Sequence, residues 1–329
     1  MYNIREGTLL SNLQYIFSKV LNLIYEYYFV IIGAFLLKKA IRLCMYPSIS
    51  PTTKVYMFLL AFISFSAYGD MRKNIKLIPF LLFCIPFLVF VFFLNKYGYQ
   101  MWGKMLSWEI SKKIVVNLNP VFSKIPFNDG AFARIYKTET LTWYFRMVYN
   151  NGFVLPVLIA IYRSAIIKDF KKMVQYGLSS HIVQVFLITP FYLLFHLQEV
   201  WFVLNQPDGL ARHLSKMAAA GVTLNCFPSM HTSINFAVLL LVLREKNKPF
   251  KIVMSFFCIS VIFSTLYLEV HWVLDVLAGI LLAFVTVKLV DFILANSQKL
   301  IQKPLNKFYY KSIKTSYINN YYLEVTKKH

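Results

Sequence analysis

The chain has 329 residues, of which 58% are hydrophobic and only 15% charged. Soluble domains have about 45–50% apolar and about 25% charged residues, so this composition excludes a disordered chain and argues strongly against a water-soluble enzyme. Lys and Arg number 35 against 14 Asp and Glu, which gives a formal net charge of +21. In a membrane protein this excess is typical of cytoplasmic turns that contact anionic headgroups. We therefore expect membrane lipids as partners, and no nucleic acid.

Apolar runs that are long enough, or nearly long enough, to span a bilayer as helices recur along the chain. They lie at about 20–37, 55–69, 77–95, 143–162, 178–197, 228–243, 252–270 and 272–294. The second run is short, and the fourth contains Arg146. The pattern predicts an all-α, polytopic transmembrane helix bundle.

Three regions follow from this pattern. We expect two N-terminal membrane helices within 1–76 and a core of six helices over 77–295, with an outward segment at 96–142. A basic tail over 296–329 completes the chain and is expected to be cytoplasmic, because its lysines continue the charge pattern of the turns between spans.

Basic residues between the later spans set the predicted orientation. Lys and Arg crowd the turns 163–172 and 244–251 and recur after the last span. In an eight-span chain these segments fall on one side, which we expect to be the cytoplasmic side of the cell membrane. The segments 96–142 and 198–227 then face outward.

Two separated segments place ionisable residues at the outward ends of predicted spans. Because charge in a membrane is costly, ionisable residues at such positions usually serve a function. His231 begins one span, and His271 and Asp275 lie at the next outward turn. A spacing of four puts His271 and Asp275 on one helix face. A carboxylate there accepts the proton of one imidazole nitrogen and leaves the other nitrogen as a nucleophile, while a second imidazole protonates the leaving oxygen.

Ser229 precedes the helix that starts near His231, and the first amides of a helix form a natural phosphate-binding cradle. This chemistry needs no metal and no cofactor, and we expect neither; the four cysteines are scattered along the chain. Each residue also has a plain structural interpretation. A single histidine at a membrane edge is more often a packing residue than a catalyst, and Asp275 alone could pair helices. Their combination at one membrane face favours a catalytic site.

Two motifs carry a family resemblance. The run Pro-Ser-Met-His at 228–231 and the segment 264–275 resemble the second and third signature motifs of the type-2 phosphatidic acid phosphatase superfamily. Within that superfamily, the run Tyr-Leu-x-x-His-Trp-x-x-Asp at 267–275 and the run Gly-Leu-Ala-Arg at 209–212 are similar to the inositol phosphorylceramide synthase branch. The resemblance implies that the six-helix core is of this family's type.

The resemblance also implies roles for the site residues. His271 would be the nucleophile that forms a covalent phosphohistidine, Asp275 its orienting partner and His231 the general acid. From their own positions, we also expect Ser229, at the start of the helix of His231, and Arg212, in the outward loop before it, to bind the substrate phosphate. No metal enters this scheme.

The chain departs from the family pattern at three points. Met230 stands where the second motif usually has Gly, and Thr265 stands where the third motif of the phosphatases has Arg; no first motif is found. A phosphate-binding cation is therefore missing. Arg212 is the leading replacement because a guanidinium can hold a phosphate with two hydrogen bonds, although it could equally be a loop arginine that contacts headgroups. Lys216 and Arg134 are weaker replacements.

The sequence thus predicts a membrane-embedded lipid phosphotransferase that works at the outer membrane face. A lipid phosphate would be the donor, and an alcohol would be the acceptor. The missing phosphatase arginines and the synthase-like runs favour transfer. A phosphatase acting on a lipid phosphate or a polyprenyl diphosphate is the alternative, and a non-catalytic transporter or scaffold on a degenerate core is an alternative of another class.

Overall fold

The structure is a computed structural model, and it describes residues 3–71, 75–111, 116–224 and 226–297. The predicted basic tail, apart from its first two residues, lies outside the described residues. Helices dominate the part that is described, and its strand content is one parallel pair of two residues each. The prediction of an all-α, polytopic bundle is confirmed.

The helices are labelled in chain order. They are α1 (Asn3–Cys44), α2 (Pro51–Phe65), α3 (Leu77–Ser111), α4 (Asn119–Phe122), α5 (Glu139–Asn151), α6 (Leu155–Ile166), α7 (Phe170–Gly177), α8 (Val183–Leu194), α9 (Val200–Val203), α10 (Lys216–Val222), α11 (Met230–Val242), α12 (Lys248–Tyr267) and α13 (Val273–Ser297). The strands β1 (Val116–Asn117) and β2 (Phe195–His196) pair in parallel. A π-helical turn, Leu178–Ile182, joins α7 to α8.

Five helical segments in the described part of the chain are long and apolar enough to cross a membrane. They are Gln14–Cys44, Leu77–Gly98, Phe170–Leu194, Lys248–Tyr267 and Val273–Ser297. A sixth span results if α5 and α6 are taken together as one helix that is bent by 61°. A helix lies at each of the eight predicted runs, but α2 and α11 have 15 and 13 residues and are shorter than the roughly 20 that a full span needs.

The predicted run 143–162 is bent between α5 and α6. Pro156 has no N–H to donate to the carbonyl of Gly152, so the α-helical pattern cannot continue through this point. The side-chain amide of Asn235 donates to that carbonyl at 2.8 Å instead. Residue 152 is glycine because a Cβ there would lie 2.3 Å from a methyl of Val261 on α12. The bend therefore packs directly against the core.

Charged side chains join the turns at one end of the bundle. Arg163 at the end of α6 donates to Asp70 at 2.6 Å, and Lys172 pairs with Glu245 after α11. The two predicted basic turns therefore meet, together with the turn after α2, at what we call the basic end. His231 starts α11 and Glu245 follows its last turn, so His231 lies at the opposite end, the histidine end. The side of the membrane that each end faces stays a prediction.

A close helix contact shapes the histidine end. A Cβ at Gly279 of α13 would lie 2.5 Å from the carbonyl oxygen of Ser229 and 3.1 Å from the Cβ of Thr232, so only glycine allows this approach. The amide of Ser229 also donates to the carbonyl of Asp275 at 3.0 Å. The start of α11 and the start of α13 are thereby held together.

The loops of the histidine end pack on the segment that leads into α13. Trp272 is 1% exposed, contacts Phe122 edge-to-face at 6.1 Å and donates its indole N–H to the carbonyl of Gln198 at 2.8 Å. Asn128 accepts hydrogen bonds from the first two amides of α13. Its carbonyl oxygen accepts from Val273 at 2.8 Å, and its side-chain oxygen accepts from Leu274 at 2.9 Å. Both predicted outward segments therefore support the segment that carries His271.

Candidate active site

His271 and Asp275 form a buried pair at the start of α13. The Nδ1 atom of His271 lies 3.3 Å from Oδ2 of Asp275, and the same oxygen accepts the amide of Trp272 at 3.0 Å. Asp275 is fully buried, and His271 is 5% exposed. Because the carboxylate holds Nδ1, Nε2 is the nitrogen available for chemistry, and it has no hydrogen-bond partner among the described residues.

His231, the second residue of α11, lies opposite this pair. Its ring is 6.1 Å from the ring of His271, centroid to centroid. Tyr149 stacks on it at 4.2 Å with an interplanar angle of 19°, and Phe153 covers it at 5.0 Å. Neither ring nitrogen has a hydrogen-bond partner in the part of the chain that the structure describes. Aromatic packing alone fixes this imidazole, and its nitrogens remain available.

Ser229 is the N-cap of α11. Its hydroxyl oxygen accepts the amide of Thr232 at 3.3 Å and also contacts the hydroxyl of Thr232 at 3.0 Å. Its own amide is used by the carbonyl of Asp275. Ser229 therefore lies next to His231, and its hydroxyl and amide are engaged in holding the helix start, as is usual for a capping serine. Its binding of phosphate stays a prediction.

Arg212, the predicted phosphate-binding cation, lies between two carboxylates. Its guanidinium donates to Glu199, and to Asp208 at 2.8 Å and 3.0 Å, and it lies over the ring of Trp201 at 5.5 Å. Burial alone would lower the pKa of Arg212, but hydrogen bonds and charge from the two carboxylates outweigh it and raise that pKa. Two negative charges thus already neutralise this cation.

The weaker candidates make other contacts in the described part of the chain. Arg134 pairs with Asp129 at 3.1 Å and with Glu269 at 3.4 Å. Lys216 begins α10 and lines a surface pocket beside Trp201. Neither side chain is directed to the histidines by a contact that the structure describes.

Arg146 is a cation that the sequence analysis did not single out for the site. It lies one turn before Tyr149 on α5, on the same helix face. Its Nε donates to the carbonyl of Gly209 at 2.7 Å, and a Cβ at Gly209 would lie 2.0 Å from the carbonyl oxygen of Leu268. Among the described residues no carboxylate lies within 4 Å of Arg146. Its charge is therefore available beside the turn that carries His271.

A thiol also borders the histidine pair. Cys226 is buried, and its sulfur, a carboxylate oxygen of Asp275 and a ring nitrogen of His271 lie within 4.8 Å of one another. The Oδ1 atom of Asp275 is buried and has no hydrogen-bond partner in the described part of the chain. These three residues could together hold a metal ion.

Comparison with known proteins gives one match. Residues 190–297 match the family model of the PAP2 superfamily, which is the family that the two motifs resemble. The matched segment, about a third of the chain, includes His231, His271 and Asp275. No curated protein and no solved structure matches the chain. The similarity to the PAP2 superfamily supports a function of the phosphatase or phosphotransferase type.

Proposed function

We propose that this protein transfers a phosphoryl or phospho-headgroup from a lipid phosphate by way of a phosphohistidine on His271. The observation that carries this proposal is the placement of His271 against Asp275, with His231 facing it across 6.1 Å. The similarity of residues 190–297 to the PAP2 superfamily supports the same reaction class.

The first step breaks a P–O bond of the donor. Nε2 of His271 attacks phosphorus, an N–P bond forms, and the leaving oxygen takes a proton from His231. Asp275 keeps the Nδ1 proton in place and stabilises the positive charge that the ring gains. In the second step His231 accepts a proton from the acceptor hydroxyl, a new P–O bond forms, and the N–P bond breaks. His231 is then protonated again and His271 is free of phosphorus, as they were before the first step.

Arg146 supplies the missing positive charge in this proposal. Arg212 is neutralised by Glu199 and Asp208, whereas Arg146, among the described residues, donates through Nε to a backbone carbonyl and pairs with no carboxylate. Its two terminal nitrogens can donate to two phosphate oxygens, which is the arrangement in which arginine binds phosphate best. The amides at the start of α11 add further donors.

We propose an alcohol rather than bulk water as the usual acceptor, as in the inositol phosphorylceramide synthase branch. Tyr149 and Phe153 cover His231, and little of His271 is exposed. Exclusion of water from such a site protects a reactive intermediate from hydrolysis. Hydrolysis of a lipid phosphate is the second candidate, because the two-histidine chemistry is the same with water as acceptor.

The test uses purified full-length protein in lipid vesicles with a radiolabelled phospholipid donor and a lipid alcohol. We expect label to appear in a new lipid, with little free phosphate, and we expect His271→Ala to abolish both products while its thermal unfolding stays close to that of the wild type. Free phosphate as the main product would favour the phosphatase. Equal turnover by the wild type and His271→Ala would overturn the proposed function.

A further inference from the structure

We propose that Cys226, His271 and Asp275 form an inhibitory binding site for a thiophilic divalent cation such as Zn²⁺ or Cd²⁺. A sulfur, an imidazole nitrogen and a carboxylate oxygen are the donor atoms that zinc takes in proteins. The inhibition rests on the proposed function, whereas the binding does not.

The geometry of the three donors suits a four-coordinate ion. Their ligand atoms already lie within 4.8 Å of one another. Bonds of about 2.3 Å to sulfur and about 2.0–2.2 Å to nitrogen and oxygen put tetrahedral ligands roughly 3.3–3.7 Å apart, so contraction by at most about 1.1–1.5 Å completes the site. Water can take the fourth position.

A second observation points to a cation at this place. Oδ1 of Asp275 is fully buried without a donor in the described part of the chain, and an unsatisfied buried carboxylate oxygen is costly. The other oxygen already accepts from Trp272 and contacts His271. A metal ion bound to Oδ1 would supply the partner that this oxygen lacks.

The charge balance also favours binding. The Cys226 thiol contacts the carbonyl oxygens of Thr223 and Val270 at 3.5 and 3.7 Å. On binding, its proton leaves to solvent and a metal–sulfur bond forms. One thiolate and one carboxylate then neutralise the two charges of the ion, so the buried complex carries no net charge.

Binding here would stop phosphoryl transfer. The ion takes a nitrogen of His271 and an oxygen of Asp275, which are the nucleophile and its orienting partner in the proposed function. Cys226 has no part in that reaction. Cys226→Ser keeps a hydroxyl that can donate to either of the same two carbonyls, so it should remove metal binding and retain turnover.

The test compares the wild type, Cys226→Ser and the control Cys258→Ser in detergent. Cys258 is fully buried in α12 and lies outside the three-donor cluster. We expect Cd²⁺ to produce the ultraviolet absorption of a cadmium–thiolate bond in the wild type and in Cys258→Ser. This absorption should be absent in Cys226→Ser. Loss of a ligand should raise the Zn²⁺ concentration for half-inhibition at least about tenfold.

The outcomes separate the metal site from the proposed function. An unchanged cadmium signal in Cys226→Ser overturns the metal site. A signal that depends on Cys226 in a protein without phosphoryl transfer supports the metal site and contradicts the proposed function. If Cys226→Ser does not fold, the rate of alkylation of Cys226 in the wild type decides: Zn²⁺ should slow it, and an unchanged rate overturns the proposal.

Discussion

Gly279 lies directly against Ser229: a Cβ at residue 279 would be 2.5 Å from the carbonyl oxygen of Ser229. Ser229 caps the helix that carries His231, and Gly279 follows Asp275 by one turn on α13. This contact sets the distance between the two halves of the candidate site.

Gly279→Ala should therefore separate α11 from α13. Overpacking of this kind costs about 1–3 kcal/mol, and we expect a lower unfolding temperature together with a large loss of turnover. The measurement is thermal unfolding in detergent with an activity assay on the same sample. Gly221→Ala on α10 is the matched control, because no atom lies within 4 Å of a Cβ there. Equal stability of the two variants would refute the contact as a determinant of the site.

Asp275→Asn should reduce kcat by at least about 100-fold, in the range that general acid–base groups contribute, with little change in KM. The amide keeps the size of the side chain but cannot stabilise the positive charge that forms on His271. Asp291→Asn is the control, because Asp291 lies on the same helix at the basic end and pairs with Arg244. If both variants keep full kcat, Asp275 has no role in the reaction.

Arg146 and Arg212 should respond differently to the same substitution. Arg146→Gln should lower kcat/KM for a lipid phosphate without loss of stability, and Arg146→Lys should restore part of that loss by returning the charge. Arg212→Gln should mainly destabilise the protein, by about 1–3 kcal/mol, because Glu199 and Asp208 lose their charged donor. Kinetics and thermal unfolding of the three variants decide between the two arginines. The opposite pattern would make Arg212 the phosphate-binding residue.

The Asp208–Arg212 ion pair predicts a specific dependence on pH. Burial by itself would raise the pKa of Asp208, but hydrogen bonds from Arg212 and from backbone amides lower it below its ordinary value of 3.8. A lowered pKa stabilises the folded state above the ordinary value, and this stabilisation is lost as pH falls through the folded value. The unfolding temperatures of the wild type and Asp208→Asn should therefore differ at neutral pH and converge below about pH 4. A difference that persists under acid conditions would exclude this ion pair as its source.

Much of the architecture could be predicted because its signals are local. Apolar runs give the helices, and a spacing of four residues places His271 and Asp275 on one face. The lengths of α2 and α11 are harder to predict from the sequence, since hydropathy marks an apolar run but not the residue at which a helix ends. The bend at Gly152 depends on Pro156 in sequence and on Asn235 and Val261 in space.

The electrostatic partners of the site could not be predicted in the same way. Glu199 precedes Arg212 by 13 residues in an irregular segment, so no periodicity links them. Arg146 meets the loop at Gly209, beside the turn that carries His271, through the packing of α5 against that loop. Cys226 and His271 lie 45 residues apart in sequence and meet because α11 and α13 start side by side. Contacts between irregular segments leave no repeating signal.

The proposed reaction depends on a covalent phosphohistidine on His271, and trapping this intermediate is the most direct test. Purified protein is mixed briefly with a lipid donor labelled on phosphorus, quenched in alkali, digested and sequenced by mass spectrometry. We expect alkali-stable, acid-labile label on the peptide that contains His271 and none in His271→Ala. Label confined to another residue, or turnover without any labelled histidine, would contradict it.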